Sequence, residues 1–169
     1  MADIKCKNVL FDLDGTLADT APDLAYALNL LLQEQGQLPL PLDVIKPSVS
    51  LGGIAMIKLA FDIDVDCPEF ESLRNRFLEI YSTNIAKHTS LFDGMDKVLS
   101  MLESRQVPWG IVTNKPSWLT QPLMQELKLS ERALCIVSGD TVEHSKPHPA
   151  PLLHACDLLA CNAAQTLYV

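Results

Sequence analysis

The spacing of hydrophobic positions changes character several times along the chain. Residues 8–13 read as a buried strand, with an unbroken apolar run at Val9-Leu10-Phe11, the pattern of a strand covered on both faces. Gly15 and Thr16 break it. Over residues 22–35 the apolar positions take helical spacing, with Leu24, Leu28, Leu31 and Leu32 on one stripe. Thr20 and Pro22 are start signals for that helix, and Gly36 is its stop. A proline-rich connection follows through Pro39, Pro41 and Pro47. Gly52-Gly53 marks a loop, and residues 54–61 read as a short apolar helix. Residues 69–87 predict an amphipathic helix with Phe70, Leu73, Phe77 and Ile80 on one side. Residues 20–87 therefore carry helices and no convincing strand.

After Leu91-Phe92-Asp93-Gly94 the two periods alternate. Residues 95–104, 116–127 and 149–159 are helical, while residues 107–112, 133–138 and 166–169 are apolar and β-rich. Strands alternating with helices predict βαβ units and a parallel sheet. The expected fold is α/β: a doubly wound, Rossmann-like parallel-sheet core of four strands with an all-helical domain inserted after the first. The boundaries are core at 1–18, helical insertion at 19–87, and core continued at 88–169. The strand at 166–169 is expected to be central or near-central.

Composition narrows the function classes. The chain has 169 residues, 48% of them hydrophobic, enough for a packed core. A formal net charge of -8 argues against nucleic acid as a partner. An acidic protein that acts on anions must build a local positive site, so lysines beside glycine or proline loops matter. No apolar run is long enough to span a bilayer, and the N-terminus has no stretch of signal-peptide type. The five cysteines are odd in number and lack zinc-site spacing. Reduced thiols in the cytoplasm are the economical expectation, with Cys135 in the core. Trp109 and Trp118 are expected to pack rather than to line a cofactor. His144 and His148 flank Lys146 without a metal-ligand spacing.

The candidate chemistry lies just after predicted strands, where open parallel sheets place their sites. Asp12 and Asp14 follow the first strand, and alternation would put both on one face. An Asp-Gly turn explains Asp14 but not a second acid beside it. Two like charges so close are tolerated where a cation binds or where one carboxyl carries a proton for chemistry. Thr113-Asn114-Lys115 follows the second strand, and Ser145-Lys146-Pro147 lies after the third. Two carboxylates, a hydroxyl with an amide, and a fixed lysine suit a phosphate ester.

These residues carry a resemblance. DLDGTL at 12–17, VTNK at 112–115 and SKPHPAP at 145–151 resemble motifs I, II and III of the haloacid dehalogenase superfamily, with a helical cap inserted after motif I. GIVTNKP, VSGDT and KPHPAPLLHAC are similar to the phosphoglycolate phosphatase branch, and within it to N-acetylmuramic acid 6-phosphate phosphatases. The resemblance implies a magnesium-dependent phosphatase acting on a small phosphorylated metabolite through an aspartyl-phosphate. It implies Asp12 as nucleophile and Asp14 as general acid and base. It implies Thr113, Asn114 and Lys146 as phosphate ligands, with Lys146 also neutralising charge on Asp12. Mg²⁺ would be held by Asp12, by the Asp14 main chain and by an acid of motif IV. Gly52 and Gly53, in the cap, would bear on substrate choice.

Family members continue past a strand like Leu167-Tyr168-Val169 with Gly-Asp and a further acid. The expectation is thus a chain cut short of motif IV that binds Mg²⁺ poorly and turns over slowly, with an uncovered sheet edge that favours oligomers. Two other functions use the same residues. A phosphomutase of the β-phosphoglucomutase kind would keep the Asp12/Asp14 pair and retain a bisphosphate intermediate. A catalytically inactive phosphate-binding or interaction protein would bind without forming an aspartyl-phosphate.

Overall fold

The computed structural model describes residues 6–169; residues 1–5, the beginning of the core segment expected at 1–18, lie outside the described residues. β1 (Asn8–Phe11) is buried at every position. It pairs in parallel with β4 (Trp109–Val112) on one side and with β6 (Thr166–Tyr168) on the other. β5 (Ile136–Val137) adds outside β4, giving the order β5-β4-β1-β6. A strand with a neighbour on each side and cover on both faces needs apolar side chains at successive positions, which explains the unbroken run at Val9-Leu10-Phe11. The Val9↔Trp109 and Leu10↔Tyr168 registers align the carboxyl ends of these strands.

The chain separates into two units. One is the sheet unit, formed by the chain up to Ala18 together with Leu91–Val169; the other is Asp19–Ser90. In the sheet unit, α5 (Met95–Ser104), α6 (Ser117–Glu126) and α7 (Ala150–Leu158) connect the strands. Leu10, Val112, Cys135, Val137, Ala155 and Cys156 form a buried cluster between sheet and α7. Trp109 packs edge-on to Phe11, with ring centroids 6.3 Å apart. Trp118 departs from its expected packing role: it is half exposed, because α6 turns that position outward. β6 also departs from expectation, lying at an edge of this sheet.

The helical unit holds α1 (Ala21–Glu34), α2 (Leu42–Val49), α3 (Gly52–Phe61) and α4 (Phe70–Thr83). Its core includes Leu28, Leu31, Leu32, Ile45, Met56, Ile57, Phe77 and Tyr81. Asn29 fixes the proline-rich connection, donating to the Leu40 carbonyl at 2.9 Å and accepting from Leu40 N–H at 2.8 Å. Arg76 of α4 grips both oxygens of Glu34 at the end of α1, at 2.9 and 2.7 Å. Three readings of the sequence are corrected here. The connection is not all loop: residues 42–49 are helical despite Pro47, because Ile45 and Val49 bury one face and offset the hydrogen bond proline removes. Gly52-Gly53 is not a loop but the first turn of α3, with Gly52 at φ +79°. The last predicted helix of this block also stops at Thr83 rather than at 87.

Short strands β2 (Ala18–Asp19) and β3 (Ser90–Leu91) pair where the chain leaves and re-enters the sheet unit. Among the described residues, no helix is long and apolar enough to cross a membrane.

Candidate active site

The carboxyl ends of β1, β4 and β6 gather the candidate residues of the sheet unit. β1 ends at Phe11, one residue before Asp12. Asp12 N–H donates to the Val169 carbonyl at 2.8 Å. Its carboxylate Oδ1 accepts from Leu13 N–H at 2.8 Å and lies 2.8 Å from Lys146 Nζ. Asp14 is not the next same-face position of a strand. It sits in a tight turn in which Gly15, at φ +77°, donates to the Ala18 carbonyl at 2.9 Å. That left-handed φ suits glycine, which has no Cβ to clash. The turn, not strand alternation, sets where Asp14 stands.

Asp14 Oδ1 lies 3.1 Å from Lys115 Nζ, both side chains being largely buried. Lys115 was legible only as part of the VTNK motif, with no role of its own; a second lysine on a post-strand loop of an acidic chain is the signal that would have found it. Thr113, buried at the end of β4, accepts from Lys115 N–H at 3.1 Å through Oγ1, so its hydroxyl hydrogen is available to an anion. Asn114 turns its whole amide to the lysine loop. Its Nδ2 donates to the Lys146 carbonyl at 2.9 Å, and its Oδ1 accepts from Lys146 N–H at 2.9 Å. Neither contact uses the second Nδ2 hydrogen, so the amide can hold the lysine loop and still donate to an anion.

Lys146, preceding a cis peptide to Pro147, sends its ammonium back over the sheet. Besides Asp12 it donates to the Val112 carbonyl at 2.9 Å and to the Tyr168 hydroxyl at 2.7 Å. The contacts close a ring: Asp12 to Lys146, Lys146 to Asn114, and through the Thr113–Lys115 loop to Asp14. One end of the sheet unit therefore holds both acids and both lysines.

The loop carrying Asn114 has its own support. Asp140 accepts from Ser117 N–H and Oγ, each at 2.8 Å, at the start of α6. Burial pushes the Asp140 carboxyl up, and the Ser117 hydrogen bonds outweigh it, leaving the group below its ordinary value. Gly139 donates to the Lys115 carbonyl at 2.9 Å, and a Cβ there would collide with the Asn114 carbonyl. His144 and His148 stack with centroids 4.6 Å apart beside an open depression lined also by Glu143, Ser145, Pro147 and Pro149. Gly52 and Gly53 belong to the helical unit, at the start of α3.

Among the described residues, no group of three or more His, Cys, Asp or Glu side chains is placed to hold a metal. The two contacts of the Asp12 carboxylate both use Oδ1, so neither engages Oδ2. A hard cation such as Mg²⁺ needs only one or two carboxylates where water and phosphate oxygens complete its shell. The Asp12 carboxylate, with the Asp14 main chain two residues on, fits that partial donor set.

Comparison with known proteins shows the family and the fold. The chain is 41% identical over 166 residues to an N-acetylmuramic acid 6-phosphate phosphatase from Pseudomonas putida, covering 98% of this chain and 74% of the relative. It is 42% identical over 161 residues to a phosphoglycolate phosphatase from Xanthomonas campestris pv. campestris, covering 95% and 72%. The crystal structure of a predicted phosphoglycolate phosphatase from Haemophilus somnus superposes with a TM-score of 0.85 at 24% identity, over 97% of this chain and 76% of that one, and so shares the fold. The sequence model of the haloacid dehalogenase-like hydrolases matches residues 9–169. With that match spanning nearly the whole chain, and with relatives above 40% identity, the chain belongs to the haloacid dehalogenase-like hydrolase family.

Proposed function

We propose that the protein is a phosphatase of small phosphomonoesters, with Asp12 as its nucleophile. The observation that carries this reading is the 2.8 Å pairing of Asp12 with Lys146 at the end of the central strand. A fixed cation beside a nucleophilic carboxylate lowers the repulsion between that carboxylate and a phosphate dianion.

In the first half-reaction an Asp12 oxygen attacks phosphorus and the bond to the ester oxygen breaks. Asp14, in its protonated form, gives its proton to the departing alkoxide. Lys115 then faces the carboxylate that remains. In the second half-reaction Asp14 takes a proton from water, the water oxygen attacks phosphorus, and the bond to Asp12 breaks. Phosphate leaves and both acids return to their starting states. Thr113 donates its hydroxyl hydrogen to a phosphoryl oxygen, while Asn114 holds the lysine loop in register. Mg²⁺ held by Asp12 and Asp14 would supply further neutralisation of phosphoryl charge.

The substrate class follows the relatives: phosphoglycolate or a sugar phosphate such as N-acetylmuramic acid 6-phosphate. The helical unit, with Gly52 and Gly53, serves as the cap that selects the leaving group. The test is phosphate release from a panel of phosphomonoesters, with and without Mg²⁺, alongside mass spectrometry for a phosphoryl group on Asp12. The reading expects release from a short acid or amino-sugar phosphate and its loss in Asp12→Asn. An isomerised substrate without free phosphate would instead identify a mutase. Tight phosphate binding with no phosphoryl-Asp12 would identify a binding protein.

A further inference from the structure

Lys146 is held by more than its nucleophile. An ammonium group has three N–H donors and no acceptor. Here they meet three oxygens: Asp12 Oδ1, the Val112 carbonyl and Tyr168 Oη, at 2.8, 2.9 and 2.7 Å. Asp12 follows β1, Val112 ends β4, and Tyr168 ends β6. Since β4 and β6 flank β1, the ammonium is triangulated across the ends of three adjacent strands.

We propose that Tyr168 is a positioning residue that fixes the Lys146 ammonium for the phosphoryl site. This rests on the reading of Lys146 as a phosphate-neutralising cation and adds to it. Of the three acceptors, the Val112 carbonyl belongs to the main chain and Asp12 is consumed by the reaction. Once Asp12 carries phosphate, its carboxylate charge is gone and it becomes a weaker acceptor. Tyr168 is then the side chain that still holds the ammonium in place. A phenol suits this task better than a second carboxylate would. It accepts a hydrogen bond without adding negative charge, so the lysine's field stays directed at the substrate. Tyr168 is more than a third exposed, so burial alone does not account for its placement.

The test compares the full chain with Tyr168→Phe, which keeps the ring and removes only the acceptor, and with Lys146→Met. Two quantities are read: affinity for inorganic phosphate by titration, and the ¹⁵N-resolved NMR signal of the Lys146 ammonium, assigned by its loss in Lys146→Met. Tyr168→Phe is expected to weaken phosphate binding roughly 3- to 10-fold, the scale of one hydrogen bond from a charged donor partly replaced by water. It is also expected to broaden or shift the ammonium signal, which a purely packing role would leave unchanged. If Lys146→Met weakens phosphate binding but Tyr168→Phe alters neither quantity, the role given to Tyr168 is wrong and the phosphatase reading stands. If Lys146→Met leaves phosphate binding unchanged, the reading of the site itself fails.

Discussion

Lys115 Nζ stands 3.1 Å from Asp14 Oδ1, with 6% of the lysine side chain and 17% of the aspartate side chain exposed. Such a pair is screened far less than a surface ion pair, so its geometry bears on function. It also gives each acid of the site its own cation: Lys146 for Asp12 and Lys115 for Asp14.

Lys115→Met removes the cation that faces Asp14 while keeping an apolar stem of similar length. Phosphate release is expected to fall at least roughly 10-fold in kcat with little change in KM, because the defect lies in proton transfer rather than in binding. Steady-state kinetics of wild type and variant, with a thermal melt as a control for folding, measure this. Equal loss in kcat and gain in KM would place Lys115 on the substrate instead.

Gly139→Ala drives a methyl group into the Asn114 carbonyl. The loop must shift, and with it the amide that pairs with the Lys146 main chain. A stability loss of about 1–3 kcal/mol is expected, the usual cost of overpacking. That corresponds to several degrees in Tm for a chain of this size. Phosphate affinity should fall as well, since the displaced amide positions Lys146.

Asp23 is fully buried at the start of α1 and accepts from His88 N–H, Thr89 N–H and the Thr89 hydroxyl, at 2.8–3.0 Å. Asp23→Asn exchanges one accepting oxygen for an NH₂ that must face donors. The helical unit should lose about 1–3 kcal/mol, the cost of leaving a buried donor unmet. Chemical denaturation measures it. An unchanged midpoint would show that residues 88–89 are held by other contacts.

Burial pushes the Cys135 thiol up to about 11 from its ordinary 9.0. The unfolded chain therefore loses this proton first, and between those two values it binds fewer protons than the folded chain. Stability must fall as pH rises through that window, by about 2–3 kcal/mol in total. The denaturation midpoint of wild type should drop more steeply from pH 9 to 11 than that of Cys135→Ala. Parallel slopes would show that the thiol is not responsible.

The periodic elements with a strong apolar stripe were legible in the sequence. α5 has the predicted bounds, Met95–Ser104, because its pattern was not interrupted. The strand β1 was legible because a doubly covered strand has no choice but to be apolar at each position. α2 was not, since Pro47 argues against helix locally and only the burial of Ile45 and Val49 overrides it. The motif residues Asp12, Asp14, Thr113, Asn114 and Lys146 could be named in advance, but not all their contacts. Asn114 binds the lysine loop, and the Asp14 turn replaces the alternation that a longer strand would have imposed.

The linear sequence by itself determined which segments seek the core and which polar residues sit at strand ends, because both depend on neighbours a few positions away. Only the tertiary structure decided that Lys115 meets Asp14 and that Tyr168 meets Lys146. Those partners are separated by 101 and 22 residues, so no local period relates them. They meet because parallel pairing of β1, β4 and β6 aligns the strand ends in space, and hydrogen-bond reach is a matter of distance in the fold.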